Sequence, residues 1–232
     1  MKKFLIAVLF SSLFYGCDVL KQLPQMTGVT EAEAGEGIKE ALGQGLVGAV
    51  LKLNKEDGFF KDAFYKILVP DDAKKIENTL RDIGLGSMVD KAILQINRGA
   101  EDAAGYAKPI FVNAIKSMSI QDAIGLVRNG DTSATHFFRE KTTAQLVAAF
   151  TPIIKSSLEK VNATKYYSDM VNKYNSLPIV FKKINPDLTG YVTTKATNAL
   201  FDLVAQEERN IRTNFTARTT DLLKKVFGQY GF

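Results

Sequence analysis

At 232 residues, with 46% hydrophobic and 24% charged side chains, the chain has ordinary globular composition and ample length for a core. Its single cysteine excludes an intramolecular disulfide. The net charge of +5 and pI of about 9.1 overstate the basicity, because Lys2 and Lys3 read as part of a cleaved leader and removing them leaves +3. The remaining lysines come singly or in pairs among acids, as on a solvated surface and not as a nucleic-acid patch.

The N-terminus has the layout of a secretory signal: Lys2 and Lys3, an apolar run from Phe4 to Phe14, then Gly16 before Cys17. The run is too short for a comfortable membrane span. The lone cysteine falls where a bacterial lipoprotein signal is cut, although Phe14 and Tyr15 stand where such sites usually carry leucine and a small residue. The expectation is a signal over residues 1–16, with Cys17 acylated by palmitate-type chains and held on a membrane of the cell envelope, facing the periplasm. Asp18 after the cysteine is a hint of inner-membrane retention. Residues 17–36, rich in Gln, Pro, Gly, Thr and Glu, read as a lipidated start and tether.

Residues 37–232 are expected to form one mostly α-helical domain. The pattern turns helical from Thr30, with Ile38, Leu42, Leu46, Ala49, Val50 and Leu53 on one face, ending at Glu56-Asp57-Gly58. Gly43, Gly45 and Gly48 spell GxGxxG, but no apolar strand precedes them. They are expected to permit close helix packing and not to bind a dinucleotide. Residues 64–69, before Pro70, are rich in strand formers, and residues 177–181 have similar character, so the two could pair as a small β ribbon. Asp71 or Asp72 can cap the next helix, with Ile76, Leu80 and Ile83 inward and Gly84 at its end.

The chain is organised around residues 92–118. Ile93, Asn97, Ala100, Ala104, Ala107, Phe111, Ala114 and Met118 recur at steps of three and four, and a neighbouring face carries Ile96, Gly99 and Ala103. So wide an apolar arc predicts a central helix surrounded by others. Pro109, which would press on the carbonyl of Gly105, predicts a kink there. Residues 119–122 resemble a capping box opening a helix that Gly130 ends. A long helix then starts at Thr132 or Ser133, with Phe138, Thr142, Leu146, Ala149, Ile153 and Leu158 inward and Pro152 inside. Further helices are expected over 164–174, 188–212 and 216–227.

Taken together, Leu80-Arg81-Asp82-Ile83-Gly84-Leu85-Gly86, Asn97-Arg98-Gly99-Ala100-Glu101, Ala107-Lys108-Pro109-Ile110-Phe111 and Arg218-Thr219-Thr220-Asp221-Leu222-Leu223-Lys224-Lys225-Val226-Phe227-Gly228 resemble the bacterial domain of unknown function 4197 family. The resemblance covers nearly the whole mature chain. It implies an exported helical protein, often with a lipoprotein signal, and carries over no catalytic residues. Where the family has an Ala-Thr-x-Tyr-Phe-like phrase, this chain has His136 and Phe137.

The lone histidine, His136, suits a helix start better than a triad or metal site, and no spacing calls for a metal or other cofactor. The candidate polar cluster joins Asn97, Glu101 and Lys108 to Glu208, Arg212 and Arg218, with Arg218 placed to bind an acid of the core helix. As structure it would fix helix register; as function it would hold a small polar ligand. The reading taken forward is a lipid-anchored binding or scaffolding module without catalytic activity, meeting a ligand or an envelope protein and no nucleic acid. Its rivals are an envelope hydrolase using Glu101 or Glu208 with Arg212 or Arg218, and a peripheral protein resting Lys182, Lys183, Lys224 and Lys225 on anionic lipid.

Overall fold

The computed structural model describes residues 30–121, 132–180 and 187–229. The signal, Cys17, the helix expected after Ser119 beyond its first residues, and the pair Lys182 and Lys183 lie outside them. Among the described residues the fold is all-α, with no strand.

Helix α1 (Glu31–Asn54) opens with a reciprocal cap. Thr30 Oγ1 accepts the Glu33 N–H (3.2 Å), and Glu33 Oε2 accepts the Thr30 N–H (2.8 Å). Residues 31–36, assigned above to the tether, are therefore the first turns of this helix. A 3-10 turn (Asp71–Ala73) leads into α2 (Lys74–Asp82), which begins without a side-chain cap. Ile76 and Leu80 are buried, but Ile83 is exposed, because the helix ends before it and Gly84 turns the chain at φ +82.

The expected central helix is two: α3 (Gly86–Ala104) and α4 (Ala107–Ser117), broken at Gly105 and Tyr106. Pro109 sits in the first turn of α4, where its missing N–H costs nothing. Helices α5 (Ser133–Lys160), α6 (Ala163–Asn175), α7 (Leu188–Thr213) and α8 (Asp221–Gln229) complete the bundle. Helix α3 touches α1, α2, α4, α5, α6 and α7, so its apolar girth is covered on every side. The buried side chains from α1 to α8 form one contiguous core.

Two expectations need correction. Among the described residues the β ribbon does not form. Residues 66–69 carry no partner strand, and residues 176–180 are a turn closing on the end of α6. The inward face of α5 also differs: Leu146, Phe150, Ile154 and Leu158 are buried, while Ala149 is exposed. Past Leu146 that stripe advances in fours and follows the crossing over α3.

That crossing depends on Gly99. A Cβ there would stand 2.6 Å from Leu158 Cδ2 and 3.2 Å from Leu158 Cα, so α3 and α5 meet almost backbone to backbone. The GxGxxG glycines serve a similar end: a Cβ on Gly45 would lie 3.0 Å from Glu207 Cβ on α7. Gly43, by contrast, has open space. Gly43→Ala is therefore expected to stabilise the fold by about 0.5–1 kcal/mol through backbone entropy. Gly99→Ala should destabilise it by about 1 kcal/mol, since overpacking outweighs the same gain. Chemical denaturation of both variants reads the opposite signs.

The start of α1 is joined to the middle of α8 by Glu33 and Lys225 at 2.7 Å. That bond, with the Thr30 N–H, lowers the Glu33 pKa to about 2 from 4.5. A depressed carboxylate stabilises the fold above its unfolded pKa and loses that contribution as pH falls towards the folded one. The Tm difference between the native chain and Glu33→Gln should be fully present at neutral pH, shrink below about pH 4.5 and vanish near pH 2. A difference independent of pH would contradict the bond.

Candidate functional site

The structure separates the residues grouped above into three independent constructions. Asn97, fully buried on α3, accepts the Ile67 N–H at Oδ1 (2.8 Å) and donates through Nδ2 to the carbonyls of Ile67 (2.8 Å) and Ile93 (2.7 Å). Its carboxamide thus does for residue 67 what a neighbouring strand would do.

One turn on, Glu101 is buried and fully engaged. Oε1 accepts the N–H groups of Phe59 and Phe60 (both 3.1 Å), and Oε2 takes Arg98 Nη1 at 2.6 Å. Arg98 also pairs with Asp57 (2.8 Å), whose backbone is in the left-handed region at φ 66. Lys61 and Arg98 together hold the Asp57 carboxyl below its usual range. Asn97 and Glu101 are thus two anchors on one helix for the irregular chain between α1 and α2. Lys108 lies exposed on α4 and joins neither.

On α7, Glu208 and Arg212 pair across one turn, at 2.8 Å to Nη2 and 3.1 Å to Nε, with both residues at most 3% exposed. Glu208 Oε2 accepts the N–H and Oγ1 of Thr135 (2.9 and 2.6 Å). Helix α5 lacks its own side-chain cap because Thr132 sits at φ 62. The carboxylate of another helix supplies the missing acceptor, at the positive end of the helix dipole. Arg218 does not reach an acid of the core helix. It donates to the carbonyls of Ile211 (3.0 Å) and Arg212 (2.8 Å), closing the end of α7. His136 is exposed near the start of α5.

The cavity lies elsewhere. A groove of about 670 Å³ runs between the segment 64–69 and the outer face of α7. Tyr65 accepts from Gln206 Nε2 at one end (2.7 Å), and Tyr191 donates to the Val69 carbonyl at the other (3.5 Å), so the segment runs antiparallel to the helix. Burial pushes both phenols above their ordinary pKa. Lys66, Lys195, Asn198, Asp202 and Arg209 add polar lining. Neither Glu101 nor Glu208 lines it. The sequence reading missed this groove; the signal was the alternation in 64–69, read there as half of a ribbon.

Among the described residues no group of three or more His, Cys, Asp or Glu could share a metal ion, and no helix is long and apolar enough to cross a membrane. These features define a class of irregularly connected helical bundle with an open lateral groove. The family described as "Protein of unknown function (DUF4197)" matches residues 28–228, and the chain belongs to it. No curated protein and no solved structure matches.

Removing one partner of the Glu208–Arg212 pair leaves a buried charge. Arg212→Met is expected to cost about 3–5 kcal/mol in denaturation. Asn97→Leu should cost at least about 1–3 kcal/mol, because the Ile67 groups lose their partner. A variant at wild-type stability would remove the role assigned to that residue.

Proposed function

We propose that this protein is a lipid-anchored module of the bacterial cell envelope that binds a ligand in the groove between residues 64–69 and α7, and that it acts by binding and not by catalysis. The observation that carries the binding reading is the groove. Its volume falls within the roughly 300–1,000 Å³ range of ligand sites, and its walls offer phenols, amides and cations aimed at one space. Asn198 Oδ1 is held by Arg139 Nη1 (2.9 Å), leaving its N–H₂ to donate, and Gln206 keeps its carbonyl oxygen to accept.

The buried carboxylates support a structural role for the polar residues. Each oxygen of Glu101 and Glu208 already accepts from a backbone N–H, a hydroxyl or a guanidinium, which leaves neither placed as a general base for a substrate in the groove. The peripheral lysine reading also loses ground: Lys224 pairs with Asp221 (3.1 Å) and Lys225 with Glu33 (2.7 Å).

The anchor rests on the sequence, in Lys2-Lys3, the apolar run and Gly16-Cys17. Exposure of Thr30 at the start of α1 is consistent with a tether leaving the fold there. Metabolic labelling with a palmitate analogue should mark the native protein and not Cys17→Ser; label persisting in the variant would contradict the anchor. For the groove, a panel of polar compounds should raise the Tm of the full-length protein in micelles, and Ala205→Trp, which fills the groove, should abolish the shifts. Shifts that survive the filling would place the ligand elsewhere.

A further inference from the structure

After the turn that Asp62 closes over residues 63–66, residues 66–69 have the side-chain pattern of a strand without a partner strand. Their side chains alternate: Ile67 and Val69 are 2% and 1% exposed, whereas Lys66 and Leu68 are outward, beside Phe64 at 91% exposed. One edge is occupied, since the Asn97 carboxamide takes both backbone groups of Ile67. In an extended chain the next residue aims its N–H and C=O the other way. Among the described residues no hydrogen bond within the chain reaches either group of Leu68. A free strand edge of this kind is a template for another chain.

We infer that the groove receives an extended, acidic polypeptide segment, which pairs with the backbone of Leu68 and sets its carboxylates against Lys195 and Arg209. This rests on the groove being the ligand site proposed above, and names what fills it. Length fits: from Tyr191 to Gln206 the wall formed by α7 is about 22 Å long at 1.5 Å per residue, room for about six extended residues. Charge fits as well. Both acids of the groove are already matched, Asp71 by Lys74 (2.7 Å) and Asp202 by Arg139 (3.2 Å). Lys66, Lys195 and Arg209 have no acid partner among the described residues, so the uncompensated charge is positive. A bilayer suits this face less well despite Phe64 and Leu68, because hydrocarbon would leave the Leu68 N–H and C=O unsatisfied. Backbone pairing would supply affinity, and pockets beside Tyr65 and Tyr191 would select alternate side chains of the guest.

The test pans the full-length protein in micelles against a displayed library of random decapeptides, then measures enriched peptides by fluorescence polarisation. Enrichment of acidic, β-branched, proline-poor sequences is expected. Lys195→Glu with Arg209→Glu should weaken them by about tenfold or more, as should high salt. Both residues are exposed, so the variants should fold. In the native protein, bound peptide should slow hydrogen exchange at the Leu68 amide. Peptides that bind with Leu68 unprotected, or indifferent to both reversals, would overturn the pairing. Binding that survives Ala205→Trp would overturn the groove reading with it. Anionic small molecules that need an open groove, with no peptide enriched, would remove the peptide and leave the groove. The chain has no tryptophan, so Phe64→Trp is a clean reporter. Its quenching by brominated lipid after reconstitution, with no peptide enriched, would give this face to the bilayer.

Discussion

The carboxamide of Asn97 is the interaction on which the working face of the molecule depends. It stands on a helix surrounded by others, and its donors and acceptor are spent on the backbone of residues 67 and 93. A buried amide with unmet groups would be costly, and so would the buried backbone of Ile67. Each removes the other's cost. The outcome is a short strand-like segment hung on a helix bundle, with one edge satisfied from within and the backbone of Leu68 left without a partner. Without that clamp, nothing among the hydrogen bonds of Ile67 would distinguish an extended segment from an ordinary loop.

The remaining polar groups of the interior follow the same logic. Glu101 collects two backbone N–H groups and a guanidinium, and so fixes the turn after α1. Glu208 serves a helix start that its own sequence leaves uncapped, and Arg212 balances its charge. In each case a side chain of one helix completes the backbone of a distant segment. Burial of carboxylates here reflects connection, and the chemistry able to meet another molecule lies on the surface between the hung segment and α7.

The bundle was legible because its signals are local. Asp187 caps α7 at the Gly190 N–H (3.0 Å), Gly84 ends α2, and the apolar positions of α1 and α7 recur at helical steps and are buried. Pro109 marked the break, although a break between two helices replaced the expected kink. The candidate cluster was harder to read. Asn97 and Glu101 stood out as polar residues in an apolar stripe, but apart from Ile93 and Arg98 on the same helix their partners are backbone atoms 30 to 42 residues away, and a backbone atom carries no residue type to match. Charge matching therefore drew them towards Arg218, whose guanidinium is taken by carbonyls. Helical register placed Lys108 on the same run, yet the break at Gly105 turns it outward. The alternation of 64–69 was visible; a side chain taking the place of a partner strand was not.

Amide hydrogen exchange in the unliganded protein tests the central claim most directly, because it compares two neighbouring residues in one sample. The Ile67 amide, bonded to buried Asn97, should exchange orders of magnitude more slowly than the Leu68 amide, which should approach the rate of an unstructured chain. Equal rates at the two positions, or protection at Leu68 with none at Ile67, would contradict a strand anchored on one edge and open on the other.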